Sequence, residues 1–431
     1  MDGLVYPDRR PHTGLLEFKN IYRPARVTHY DQSTGTLTLH NYMDFVDLTD
    51  YATLSYELNC DGQVVSAGSV PFPGGFRLPP HADGTLPLPL DVPAKGKCFV
   101  NICYHCKQDS ALIKADHLLG FDEIPLQNSD PRNQDAVQLL GRPAGDGLIT
   151  IRETDRMLVL SCEQFTYVFN KLTGLFDKMT FANEPLLDQP MGFNVWRAPT
   201  DNDRKLKADW YAAHYDHAAT NAYHTEYTVT ASGVTLHTHV GIAAICVQKF
   251  LDLDVTWTVA NNGSVDLALH AQRNTVFPEL PRFGLRLFLP QEMSQVNYYG
   301  MGPMECYCDK HHAASHNSYT ATVWQLHEDY IRPQENGSHF DCDYVMLAGD
   351  AVRLTAVGTQ PFSFNASHYT QEELTRKAHN YELEPCSSTV LCLDYAQNGI
   401  GSESCGPRLL EQYRLDDATF NFGLRLFPEK K

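Results

Sequence analysis

Long apolar runs are absent from this chain: none approaches the roughly 18 residues that a membrane-spanning helix requires, so a transmembrane protein is not expected. Basic residues are scarce beside acidic ones, 34 Lys and Arg against 52 Asp and Glu, which leaves a formal charge of -18. Phosphate backbones and anionic lipids are bound by dense Lys and Arg, so neither nucleic acid nor a membrane surface is an expected partner. A neutral ligand such as a sugar meets no such barrier. The patterns GxxxxGK[ST], complete GxGxxG, GxSxG and HExxH are all missing, which removes the usual phosphate cradle, dinucleotide fingerprint, serine elbow and zinc helix. The first 20 residues lack a basic stretch followed by an apolar one, so secretion is not expected. Twelve cysteines in 431 residues are unevenly spaced. Together these features predict reduced thiols in a cytoplasmic protein.

What is present is a globular balance, 43% hydrophobic and 20% charged, in a chain long enough for two or three domains. In residues 1–25 a short apolar core, Leu4-Val5-Tyr6, precedes a helical spacing of Leu15, Leu16 and Phe18. One strand end and one helix cannot fold alone, so this stretch is expected to belong to something larger. Residues 26–128 alternate in short runs such as Thr36-Leu37-Thr38-Leu39-His40, punctuated by Ser33-Thr34-Gly35 and Asp61-Gly62. About seven strands in that length predict an immunoglobulin-like sandwich. Residues 129–147 are rich in Asp, Asn, Pro and Gly without periodicity and read as a linker. Strand patterns fill residues 148–431, predicting a large antiparallel β-sandwich, with Thr370 to His379 as the one helical segment. The fold class expected is mainly β.

The densest polar motif is Trp196-Arg197-Ala198-Pro199-Thr200-Asp201-Asn202-Asp203-Arg204, which follows the apolar-leaning run 191–195. It reads as a rigid loop at a strand end, able to bind a polyol or to form a turn that bonds its own backbone. Calcium does not suit it: Leu206 stands where an EF-type loop needs glycine, and no glutamate follows at the twelfth place. The cluster Cys306, Cys308, His311 and His312 lacks the separated pairs of a zinc site, and Cys103 and Cys106 form a lone CxxC. Glu305 and Glu335 read as loop carboxylates satisfied by backbone donors, not as an acid and nucleophile pair.

Five segments, in order, carry a resemblance. They are the chain start 1–12 (MDGLVYPDRRPH), the loop 196–203 (WRAPTDND), Tyr299-Gly300-Met301-Gly302-Pro303-Met304-Glu305, Arg332-Pro333-Gln334-Glu335-Asn336-Gly337, and Leu393-Asp394-Tyr395-Ala396-Gln397 running on to Pro407. They resemble segments of the large, lactose-hydrolysing bacterial β-galactosidases of glycoside hydrolase family 2. Cys306, Cys308 and Lys310 depart from that pattern, where Asn, Pro and Arg are usual.

The resemblance implies that residues 1–25 end a catalytic (β/α)8 barrel, a fold of about 250 residues. It implies retaining hydrolysis of β-galactosides by two glutamates about 5 Å apart, both lying upstream of Met1. Catalytic residues are therefore not expected here. Asp2 maps onto a position whose oxygen binds Na⁺ beside the substrate, and Mg²⁺ ligands are expected outside this chain. Cys405 maps onto a position that is tryptophan in some members, where an aromatic ring stacks on the sugar. Asp201, Asn202 and Asp203 are expected at the mouth of the active site. The partners implied are the galactoside, the missing barrel part or a large subunit, and further copies in a homo- or hetero-oligomer. A non-catalytic, lectin-like sandwich and an aldose epimerase are the alternatives.

Overall fold

The computed structural model describes residues 3–401 and 406–431, so Asp2 and Cys405 lie outside the described residues. The chain divides into two compact units, Met1–Val137 with His311–Ser318, and Gln138–Lys310 with Tyr319–Lys431.

In the first unit, strands Ala25–Asp31, Thr36–Asn41 and Asp83–Pro87 form one antiparallel sheet. Strands Gln63–Val70, Ala52–Cys60, Cys98–Cys106 and Leu118–Pro125 form another, in that order. Alternation decides which residues turn inward: in Thr36–Asn41, Leu37 and Leu39 are buried between half-exposed neighbours. They share a core with Leu58, Val100, Ile102 and Tyr104 of the four-stranded sheet. These are the seven strands of the expected sandwich. The helix expected near the start runs Thr13–Ile21, after a β-bridge between Val5 and Pro11. Its Glu17 carboxylate accepts the backbone N–H groups of His312 and Ala313 at 2.9 and 2.8 Å, and Asn20 donates to the His312 carbonyl at 2.6 Å.

The expectation of reduced thiols fails for one pair. Cys60 and Cys98 stand directly opposite each other on adjacent strands and are joined as a disulfide. A separation of 38 residues conceals this neighbourhood, which strand register creates. Cys103, Cys106, Cys162, Cys246, Cys308, Cys386 and Cys392 are free thiols. A short helix, Gln134–Leu140, lies within the stretch read as a linker.

The second unit is built on two antiparallel sheets. One has five strands, ordered Glu184–Pro185, Leu175–Phe181, Phe165–Asn170, Met157–Ser161 and Thr150–Glu153. The other runs through Gln189–Asn194, Arg282–Pro290, Ser388–Gln397, Val352–Ser367, Thr419–Lys430, Val265–Arg273, Leu251–Ala260, Gly233–Ala243 and Ala219–Thr230. It branches from Val352–Ser367 through Ser338–Ala348 to Gln295–Gly302. In Leu251–Ala260 the residues Leu251, Leu253, Val255, Trp257 and Val259 turn inward, and Phe176 of the smaller sheet meets Trp257 edge-on at 5.3 Å. The helix expected over 370–379 is shorter, Gln371–Arg376, capped by the Thr370 side chain and ended by extended backbone at Lys377.

Three strands of the larger sheet bring their ends to one margin. Asn194 pairs with Gly284, and Arg282 with Gln397, so one strand end, one strand start and a second strand end lie side by side. Gly284 allows this approach: a Cβ there would lie 2.2 Å from the Leu393 carbonyl oxygen.

Candidate functional site

The loop that follows Asn194 turns on Arg197, whose side chain is wholly withdrawn from solvent. Its Nη2 reaches Asp203 Oδ1 at 2.7 Å and the Gly399 carbonyl at 3.0 Å, Nη1 bonds the Asn398 carbonyl, and the guanidinium lies over the Trp210 ring at 5.1 Å. Asp203 also accepts from the Thr200 backbone N–H at 2.8 Å and hydroxyl at 3.2 Å, a reciprocal cap on the short 3-10 turn Asp201–Arg204. A buried guanidinium is tolerated only when its donors are met, and here four hydrogen bonds meet them while the Trp210 ring covers one face.

A second buried cation sits beneath. Arg282 Nε donates to Asp394 Oδ1 at 3.1 Å, Nη2 bonds the same carboxylate, and Nη1 donates to Glu335 Oε1 at 2.6 Å. Glu335 Oε2 then accepts the Ala198 N–H at 3.0 Å, and the Glu335 N–H returns to the Ala198 carbonyl at 2.9 Å. Gln397 donates to Asp394 at 3.3 Å and to the Ser338 hydroxyl at 3.0 Å. The loop is thus fastened to the sheet margin by charge and by main-chain bonds.

Glu305 forms a third centre. Burial alone would raise its carboxyl, but the Lys310 ammonium at 2.9 Å, the Tyr330 hydroxyl and the Gly337 N–H at 2.9 Å outweigh burial and hold it at about 2. The chain thereby ties the segments 299–305 and 332–337 together. Glu305 and Glu335 each accept backbone N–H groups, as read from the sequence, but each is also ion-paired.

Of the residues singled out in the loop, Asp203 is internal, while Asp201 is exposed and Asn202 half-exposed. Asp201 lies 3.4 Å from Arg332, its backbone N–H donates to Gln334 Oε1 at 3.0 Å, and Asn202 donates to the Ile400 carbonyl at 3.0 Å. Asn202 lines a cleft of about 520 Å³ with Asp309, Lys310, Ile400, Arg408 and Tyr413. Asp2 and Cys405 lie outside the described residues. Cys306 and Cys308 are held by local contacts, and burial pushes the Cys308 thiol up to about 12. Among the described residues no group of three or more His, Cys, Asp or Glu side chains is placed to hold a metal ion. Arg282 escaped the sequence reading. Its signal was a charge opening the near-continuous apolar run 283–289, where a buried partner is required.

Comparison with known proteins adds a family. Residues 161–426 match the family described as "Beta galactosidase small chain", and residues 37–127 match "Beta-galactosidase, domain 4". The β-galactosidase of Actinobacillus pleuropneumoniae is 39% identical over 430 residues, 100% of this chain and 41% of that protein. That of Staphylococcus xylosus is 33% identical over 431 residues, 99% of this chain and 42% of that protein. The chain spans about two fifths of the length of these curated relatives. Among solved structures, a galactose mutarotase-like protein from Lactobacillus casei covers 63% of this chain and 100% of its own, with 10% identity and a TM-score of 0.36.

Proposed function

The chain belongs to the β-galactosidase small-chain family, and from that membership we propose that it is the C-terminal part of a β-galactosidase. The complete enzyme hydrolyses terminal non-reducing β-D-galactosides, lactose among them, with retention. This chain contributes loops that close the active site and surfaces for assembly into a homo- or hetero-oligomer in the cytoplasm. The observation that carries the reading is the joining of three motif segments by buried charge: Arg197 links 196–204 to 398–399, Glu335 links Ala198 to Arg282, and Arg282 holds Asp394. Such preorganisation suits a loop that must hold a sugar in place.

Retaining hydrolysis needs a carboxyl group protonated near neutral pH and a free nucleophilic carboxylate. Glu305, held at about 2, cannot supply that proton, and Glu335 is spent on Arg282 and Ala198. As the resemblance to the family implies, the proposal places both catalytic glutamates in a barrel part outside this chain. Asp201 and Asn202 border the substrate entrance and accept or donate hydrogen bonds to sugar hydroxyls, while Asp203 acts from inside by fixing Arg197. Cys405, in place of a stacking ring, gives a wider or differently shaped acceptor side. A Na⁺ shared by Asp2 and the substrate, and a Mg²⁺ held outside this chain, belong to the same proposal, since a carboxylate oxygen suits hard cations.

The test is hydrolysis of a nitrophenyl β-galactoside by the purified chain, alone and with a separately expressed barrel fragment of the family. Activity only in the mixture is expected, and activity of the chain alone overturns the division of labour. Polarimetry of freshly dissolved α-galactose and calorimetry with galactose test the epimerase and lectin alternatives.

A further inference from the structure

A crevice of about 260 Å³ opens beside Glu305, lined among others by Pro303, Met304, Leu326, His327 and His339. His339 is fully buried, with Nδ1 3.0 Å from the Tyr298 hydroxyl and 3.2 Å from the Met301 carbonyl. Among the described residues no group hydrogen-bonds its Nε2 or the buried Nδ1 of His327, whose ring interacts with the neighbouring Asn336 side chain. A buried polar atom left unmet is costly, so both nitrogens demand a partner from the crevice.

The kind of partner follows from charge and tautomer. Burial pushes the His339 imidazole down to about 4, so the ring is neutral and carries one N–H. If Nδ1 donates to Met301, Nε2 is an acceptor; if Tyr298 donates to Nδ1, Nε2 is a donor. A hydroxyl group serves in either case. An anion is disfavoured by the ionised Glu305 wall, and a cation gains little because Lys310 already neutralises that carboxylate at 2.9 Å. The volume far exceeds the roughly 10–15 Å³ of cavity that one water needs and admits several hydroxyl-bearing carbons.

We propose that this crevice binds a small neutral polyol, of hexose size or below, through the imidazoles of His327 and His339.

The experiment titrates the full 431-residue chain, labelled with ¹⁵N-histidine, with galactose, glucose and glycerol in turn, following the His339 ring nitrogens by NMR and heat by calorimetry. Saturation by at least one of the three is expected. His327→Phe should weaken it about tenfold, the worth of one hydrogen bond to a neutral ligand. Met304→Trp, which fills the crevice from its partly exposed side, should weaken it as much and serves if the first variant does not fold. Failure of all three polyols to saturate His339 overturns the proposal, as does unchanged affinity in a folded variant. No hydrolysis is measured, so this result and the galactosidase reading stand or fall separately.

Discussion

Arg197 and Asp203 meet in a two-point ion pair withdrawn from solvent, with contacts of 2.7 and 3.3 Å to the two carboxylate oxygens. The pair closes the stretch 197–203 on itself and leaves the remaining guanidinium donors for the carbonyls of Asn398 and Gly399. The loop's shape therefore rests on a charge pair that could not survive the loss of one member.

Removing that member gives the first expected outcome. Asp203→Ala strands a buried guanidinium and should cost about 3–5 kcal/mol in urea unfolding, the range for breaking a buried pair. Asp203→Asn keeps an acceptor for the Thr200 N–H and should cost less. Equal costs would mean that the loop relaxes to let water reach Arg197.

Glu335 is read in the same way, at the loop's other anchor. Glu335→Gln keeps an acceptor for the Ala198 N–H but surrenders the charge facing Arg282, for a loss of about 2–3 kcal/mol. Glu335→Ala loses both and should also speed tryptic cleavage after the exposed Arg204. Cleavage at the wild-type rate would show that the loop is held without Glu335.

The Cys60–Cys98 bond makes a chemical forecast. Alkylation of the unreduced chain followed by mass spectrometry should leave this pair unmodified and linked after proteolysis. Closing a separation of 38 residues stabilises the sandwich by about 3–4 kcal/mol on the chain-entropy account, so Cys60→Ala with Cys98→Ala should lower its unfolding midpoint.

Much of the fold was legible because it rests on local rules. Period-two burial in Thr36–Asn41 and Leu251–Ala260, and Thr370 as a helix cap, can each be read from a few adjacent residues. The loop at Trp196 was legible as a rigid turn for the same reason. Its anchors were not. Ala198 and Glu335 are 137 residues apart, and Arg282 and Asp394 are 112 apart, so their meeting depends on sheet register that no short window contains. Asp203 shows the cost of that blindness: its carboxylate reads as a substrate-facing group until Arg197 is placed beside it. The Cys60–Cys98 pair was hidden by the same register.

Acid unfolding offers the sharpest separation of two buried groups near the crevice. His339 is pushed by burial from an ordinary 6.5 to about 4, so the unfolded chain takes up its proton first. Its contribution to stability is full above pH 6.5 and lost as pH falls to about 4. Glu305 runs in a lower window: burial opposes its charge, but Lys310, Tyr330 and Gly337 hold it at about 2 against an ordinary 4.5, so its contribution is full above 4.5 and lost on the way to about 2. Each loss is about 3 kcal/mol, since each shift is between two and three pH units. Urea unfolding across both windows should show a step from each group on top of the changes that other buried groups contribute, Asp394 among them. His339→Gln should flatten only the upper step and Glu305→Gln only the lower one, whatever each variant costs at neutral pH. If both variants instead keep the wild-type slope throughout, neither group is buried as the geometry places it.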